Sequence, residues 1–221
     1  MTDVDIRQRV LAGNEIAAGA MRERWRASGT LALNLISSPG SGKTTLLEAT
    51  VTRLKDRFRI GVIEGDIATE LDADRLRRLG VPAHQILTGG SCHLDARQVI
   101  VAADRPEFEK LDLMLIENVG NLICPTSYDL GEAFKVVVLS VTEGEDKPFK
   151  YPAIFARATV AVITKTDLLP YVPFKLDAVR EQIRTLRPDG TLLELSARTG
   201  EGMDAWCGLL EARMAGVAAA R

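Results

Sequence analysis

The chain has 221 residues, 28 basic against 30 acidic, for a net charge of −2 and a pI near 5.8. That balance excludes a broad positive surface for nucleic acid. No apolar run approaches the roughly 20 residues of a membrane span. Three cysteines are too few for a disulfide framework, and Met1-Thr2-Asp3-Val4-Asp5 lacks a basic leader, so a reducing cytoplasm is the expected setting. The length suffices for a substantial core, in one large domain or two small ones.

Residues Val4 to Arg26 predict an amphipathic helix with Ile6, Val10, Ile16, Ala20 and Met21 on one face, ended by Ser28-Gly29. We read 1–28 as a helical arm packed across the main domain and 29–221 as that domain. From Leu31 onward strand-like and helix-like runs alternate. Predicted strands are Leu31–Ile36, Arg59–Glu64, Val81–Leu87, Leu111–Glu117, Phe134–Val141, Thr159–Thr164 and Leu192–Leu195. Helices follow the phosphate loop and are predicted near Thr69–Leu79, Leu94–Ala103, Pro148–Ala158, Pro173–Leu186 and Met203–Ala219. Continuous rather than alternating apolar strands are buried on both faces. The pattern predicts one three-layer α/β domain with a mostly parallel sheet.

The stretch from Leu31 to Leu47 carries the strongest signal. An apolar strand runs into Ser37-Ser38-Pro39-Gly40-Ser41-Gly42-Lys43-Thr44-Thr45, which opens a helix. This is the context of a phosphate-binding P-loop, where backbone amides wrap an anion at a positive helix end. Gly40, Ser41, Gly42, Lys43, Thr44 and Thr45 are the expected cradle, with Lys43 on the β- and γ-phosphates and Thr44 on Mg²⁺. Ser37 stands where the usual pattern has its first glycine, which the loop tolerates if Ser37 keeps a negative φ and Gly40 supplies the flexibility. The alternative is an ordinary strand–helix turn with a surface lysine.

Parallel α/β sheets bind ligands at the carboxyl ends of their strands. Two such ends are Glu64-Gly65-Asp66 and Glu117-Asn118-Val119-Gly120. Asp66 and Glu117 are assigned to Mg²⁺ or its water shell, and one of them to orienting the attacking water. Gly120 lets a backbone amide approach the γ-phosphate. Asp72 and Asp74 are expected to face solvent. Thr164-Lys165-Thr166-Asp167 and Ser196-Ala197 resemble the guanine-reading pair of GTPases. Asp167 would accept from guanine N1–H and N2–H₂, a donor pair adenine lacks. The Lys165 stem would lie over the purine, and the Ala197 amide would meet O6. Thr164 replaces the usual Asn and is expected to weaken guanine affinity.

A second chemistry sits in Ser91-Cys92-His93-Leu94 and in Ile123-Cys124-Pro125. Thiolate and imidazole suit Zn²⁺ or Ni²⁺, but adjacent ligands space poorly for a closed structural zinc site. Spacing alone leaves core filling and metal ligation open for Cys92, His93 and Cys124, whereas His84 and Cys207 read as core filler. Lys147, in an acidic cluster, reads as a solvated charge more readily than as a phosphate contact across a dimer.

The segments L-I-S-S-P-G-S-G-K-T-T-L-L, V-I-E-G-D-I-A-T-E-L-D-A-D-R, S-C-H-L-D-A, I-E-N-V-G-N-L-I-C-P and S-V-T-E-G-E-D-K-P-F-K-Y-P together resemble the hydrogenase nickel-incorporation GTPase (HypB) family, from Leu31 to about Leu210. The resemblance implies a P-loop NTPase of SIMIBI type that cycles between GTP and GDP. It also implies a homodimer that helps deliver nickel to the large subunit of [NiFe] hydrogenase alongside other maturation proteins. Its interfacial Ni²⁺ or Zn²⁺ site would be Cys92, His93 and Cys124. Many members also carry an N-terminal Cys motif or His-rich tract; this sequence has neither, so a storage role is not expected. The alternatives are a urease-accessory-type GTPase, or a metal-dependent nucleotide-binding scaffold with little turnover.

Overall fold

The computed structural model describes residues 3–66 and 71–219. Seven strands, β1 (Leu31–Ser37), β2 (Ile60–Asp66), β3 (Ala83–Leu87), β4 (Leu113–Glu117), β5 (Phe134–Ser140), β6 (Val160–Thr164) and β7 (Thr191–Glu194), form one sheet in the order β3-β2-β4-β1-β5-β6-β7. Every pairing is parallel. The helices are α1 (Asp3–Ser28), α2 (Lys43–Leu54), α3 (Leu71–Arg77), α4 (Ala96–Ala103), α5 (Lys147–Lys150), α6 (Pro152–Arg157), α7 (Leu176–Leu186) and α8 (Met203–Ala219). The predicted start of α3 near Thr69 lies outside the described residues, as does the side chain of Ile6.

Pleating sends successive side chains to opposite faces and builds two cores. Leu31, Leu33 and Leu35 of β1 pack with α2, α3 and α8 through Leu46, Leu76, Trp206 and Leu210. Ala32 lies on the other face, with Met21 and Trp25 of α1 and Val99 and Ala102 of α4. Further along that face α6 and α7 contribute Phe155 and Ile183. Both faces are covered, which is why β1 is buried at all seven positions.

Two elements differ from the sequence expectation. Helix α1 turns Asn14, Ala18, Met21 and Trp25 inward and leaves Val10 and Ile16 exposed. The spacing is helical, but a polar Asn occupies the buried stripe. Its Nδ2 donates to the Asp129 carbonyl at 2.8 Å, and its Oδ1 accepts from the Ala96 amide at 2.9 Å. The single helix expected over Pro148–Ala158 is two, because Pro152 has no N–H to continue it and Tyr151 leaves helical geometry at φ −125°, ψ 51°. No helix among the described residues is long and apolar enough to cross a membrane.

Candidate functional site

The P-loop lies between β1 and α2, at the carboxyl end of the sheet. Gly40 (φ 79°) and Gly42 (φ 92°) take left-handed conformations that L side chains rarely adopt, which curls the loop over the start of α2. Ser37 keeps an ordinary φ and contributes more than tolerance. Its hydroxyl accepts from the Lys43 ammonium at 2.7 Å and from the Ser41 hydroxyl at 2.5 Å. Lys43 is therefore held in place before any phosphate arrives, and lies 3.8 Å from the Glu117 carboxylate. Ser41 is buried, with its side chain turned away from the cavity toward Ser37.

A cavity of about 500 Å³ opens over this loop, lined by Gly40, Gly42, Lys43, Thr44, Thr45, Asp66, Glu117 and Gly120 among others. Thr44 donates to Glu117 Oε1 at 3.1 Å. Glu117 is the last residue of β4 and pairs in register with Glu64 on β2, so both carboxyls share the α2 face of the sheet. Each keeps one buried oxygen without a hydrogen-bond partner, Glu64 Oε1 and Glu117 Oε2. Burial pushes the Glu117 carboxyl up from the ordinary range, against the opposing pull of Lys43. Burial, then the charges of Glu117 and Asp72, push Glu64 up as well. A buried carboxyl oxygen without a partner on Glu117, beside the Thr44 hydroxyl, is a donor set a hard divalent cation accepts, and the half-buried Asp66 lines the same cavity.

Asp72 lines the cavity with its side chain still about a third exposed, 36%, and accepts from Arg75 at 3.1 Å. Asp74 pairs with Arg77 at 2.6 Å on the outer side of α3. Glu64 is the residue that sequence reading missed. The signal was its shared parity with Val62 and its place opposite Glu117, which only the strand register reveals.

A second cavity of about 190 Å³ adjoins the first and is lined by Gly42, Thr45, Thr164, Lys165, Asp167, Ser196, Ala197 and Arg198 among others. Every residue of the proposed guanine reader is thus gathered in one place. The Thr164 hydroxyl donates to the Ser41 carbonyl at 2.7 Å, tying the end of β6 to the P-loop. Lys165 adopts φ 58°, ψ 37°, and its ammonium donates to the Gly40 carbonyl at 2.7 Å. Asp167 lies 4.0 Å from the exposed Arg198 guanidinium.

Beyond Glu117 the chain passes Gly120, whose Cα abuts the P-loop so tightly that a Cβ would sit 2.9 Å from Pro39 Cγ and 3.0 Å from the Pro39 backbone. Four residues later Cys124 opens a 3₁₀ turn, Cys124–Ser127. Its ligand atom, with those of Cys92 and His93, forms a group within 4.8 Å of one another, all half-buried. Cys92 Sγ is 3.7 Å from His93 Nδ1, and the Tyr128 ring packs on the His93 ring at 3.8 Å between centroids. The hydrogen-bonded Cys92 thiol beside it, and then burial, hold the Cys124 thiol above its ordinary range. Burial lowers His93, favouring the neutral imidazole a metal needs. Cys207 is buried in α8 among apolar neighbours, away from this group.

A phosphate loop between a buried parallel strand and a helix, with carboxyls at adjoining strand ends, defines a P-loop nucleotide-binding protein of the three-layer α/β class. A family model described as the CobW/HypB/UreG nucleotide-binding domain matches residues 31–194. The hydrogenase maturation factor HypB of Escherichia coli is 51% identical over 202 residues, covering 91% of this chain and 70% of that protein. Among solved structures, HypB from Archaeoglobus fulgidus superposes with a TM-score of 0.87 at 40% identity, over 92% of this chain and 99% of that one. HypB from Helicobacter pylori in complex with nickel gives 0.85 at 42% identity, over 91% and 95%. The chain belongs to the HypB family of hydrogenase maturation factors.

Proposed function

We propose that this protein is a GTP-hydrolysing nickel metallochaperone that assists nickel insertion into the large subunit of [NiFe] hydrogenase, acting as a homodimer in the cytoplasm. The observation that carries the reading is continuity. One short stretch supplies Glu117 to the phosphate cavity, Gly120 to the P-loop contact and Cys124 to the thiol–imidazole group. The nickel complex of the H. pylori relative supports nickel as the cargo, with Zn²⁺ as a competing ion.

In this reading Lys43 leaves Ser37 for the β- and γ-oxygens, the P-loop amides cradle them, and the Gly120 amide approaches the terminal phosphate. Asp66 or Glu117 orients the attacking water. Mg²⁺ held by Thr44, Asp66 and Glu117 would offset charge developing on the transferred phosphoryl group. Asp167 reads guanine, with Lys165 over its face and Ser196-Ala197 beneath its O6. Thr164, in the place of the usual Asn, ties the end of β6 to the P-loop through its bond to Ser41. Cys92, His93 and Cys124 give three nickel ligands, and a fourth comes from water or the second subunit.

Steady-state phosphate release tests the enzymatic half. Lys43→Ala is expected to lower it about 10²–10³-fold, the loss typical of removing one charge-stabilising donor. Release by the Lys43→Ala variant equal to that of the unaltered protein would reduce the chain to a nucleotide-binding scaffold. Asp167→Asn is expected to shift preference from GTP to xanthosine triphosphate.

A further inference from the structure

Glu117 and Asn118 are consecutive residues that serve opposite faces of the sheet. Glu117 follows Leu113 and Leu115 toward α2 and the phosphate cavity, whereas the Asn118 side chain follows Met114 and Ile116 toward α1 and α4. Asn118 is 1% exposed and fully engaged. Its Oδ1 accepts from the Leu94 amide at 3.0 Å, and its Nδ2 donates to Asn34 Oδ1 at 3.2 Å. Leu94 is the residue directly after Cys92-His93. Asn34 in turn donates to Glu132 Oε1 at 3.3 Å. Glu132 pairs with Lys135, whose ammonium donates to the Tyr128 carbonyl at 2.8 Å. Tyr128 is the ring packed on His93.

We infer that Asn118 is a positioning residue that couples the phosphate cavity to the Cys92–His93 side of the metal group. The inference rests on the functional reading above and extends it. Cys124 is joined to the phosphate-sensing stretch through the backbone; Asn118 gives the other two ligands their own connection. One arm of the connection is direct, through the Leu94 amide, and the other returns through Asn34, Glu132 and Lys135 to the ring beneath His93. When Gly120 shifts against the P-loop with the terminal phosphate, Asn118 shifts with it. A buried amide cannot give up these partners cheaply, since an unsatisfied buried polar group is costly, so the Leu94 amide must follow. All three ligands then respond to one loop, and the site changes geometry as a unit. A lone link to Cys124 would pull one ligand away from two fixed ones.

The coupling is read as the ratio of Ni²⁺ affinities measured with a non-hydrolysable GTP analogue and with GDP. For site–site coupling of ordinary strength this ratio is about 5–150-fold. In Asn118→Ala it is expected to fall by about threefold or more, the remainder being carried by the backbone link to Cys124. A merely structural role would weaken both affinities alike and leave the ratio standing, and that result would overturn the assignment. A ratio of one in the unaltered protein would defeat both the coupling and the reading it rests on. Should Asn118→Ala not fold, hydrogen exchange of the Leu94 amide in the unaltered protein probes the same link. Its protection is expected to differ about tenfold or more between the two nucleotides, and equal protection would overturn the link.

Discussion

The phosphate cavity and the thiol–imidazole group lie on either side of one strand end, and they are built in different ways. The cavity is framed by the ends of β1, β2 and β4 and by a loop whose lysine is already held by Ser37. Lys43 and Glu117, which line it, and Glu64 beside Glu117 on the same face are all more than nine-tenths buried. The metal group hangs on two loops, and its three residues are half-exposed. Interior elements resist displacement because packed cores deform little, whereas loops move at small cost. A bound phosphate would therefore leave the cavity largely as it is and express itself in the loops. In the proposed function, this contrast would let the thiol–imidazole group respond to a nucleotide it does not touch.

Three changes would break or sharpen that contrast. The largest effect is expected for Cys124→Ala, which removes one of three ligands and should weaken Ni²⁺ binding by about 100-fold or more, with GTP affinity little changed, by calorimetry. If GTP affinity fell equally, the two regions would be one site. Gly120→Ala comes next. Its methyl would collide with Pro39 in the P-loop, and the resulting displacement should lower phosphate release by up to about 10²-fold with a smaller effect on GDP affinity. Unchanged release would show that the loop does not need this close approach.

The smallest effect concerns the rigid side. Glu64 has a folded-state pKa above its ordinary 4.5, so the folded protein binds more protons than the unfolded chain between that value and the raised one. Stability of the nucleotide-free protein should accordingly fall as pH rises through this window. Glu64→Gln should remove most of the fall and stabilise the protein by about 1–3 kcal/mol at pH 8, as a higher thermal midpoint. A midpoint for Glu64→Gln that tracks the unaltered protein at every pH would place the carboxyl in a wetter setting than its burial indicates.

Much of this was legible in the sequence, for identifiable reasons. The interior strands β1, β4, β5 and β6 announce themselves as apolar runs because the sheet is covered on both faces, whereas β3 and β7, at its edges, are only partly buried and show more weakly. The P-loop shows because its glycines have to take positive φ. Cys92, His93 and Cys124 carried chemistry without geometry: a gap of about thirty residues closes because the loop after β3 reaches across the end of β2, with Leu94 against Gly65 and its amide bonded to Asn118 beyond β4. Glu64 and Asn118 were hidden for a related reason. Whether a strand-end residue meets the phosphate side or the metal side depends on register and parity, which no local motif records. Asn14 defeated the reading of α1 because a polar residue in a buried stripe looks like a break in the pattern until its partners, Asp129 and Ala96, are known.

The central claim is that nucleotide state reaches the metal ligands through the stretch from Glu117 to Cys124. Ni²⁺ titration of the unaltered protein with a non-hydrolysable GTP analogue and with GDP, following solution mass alongside affinity, tests it most directly. The account predicts that the two nucleotides give different Ni²⁺ affinities and different proportions of dimer, and that Cys124→Ala narrows the difference in affinity. Identical affinity and identical mass with both nucleotides would contradict it.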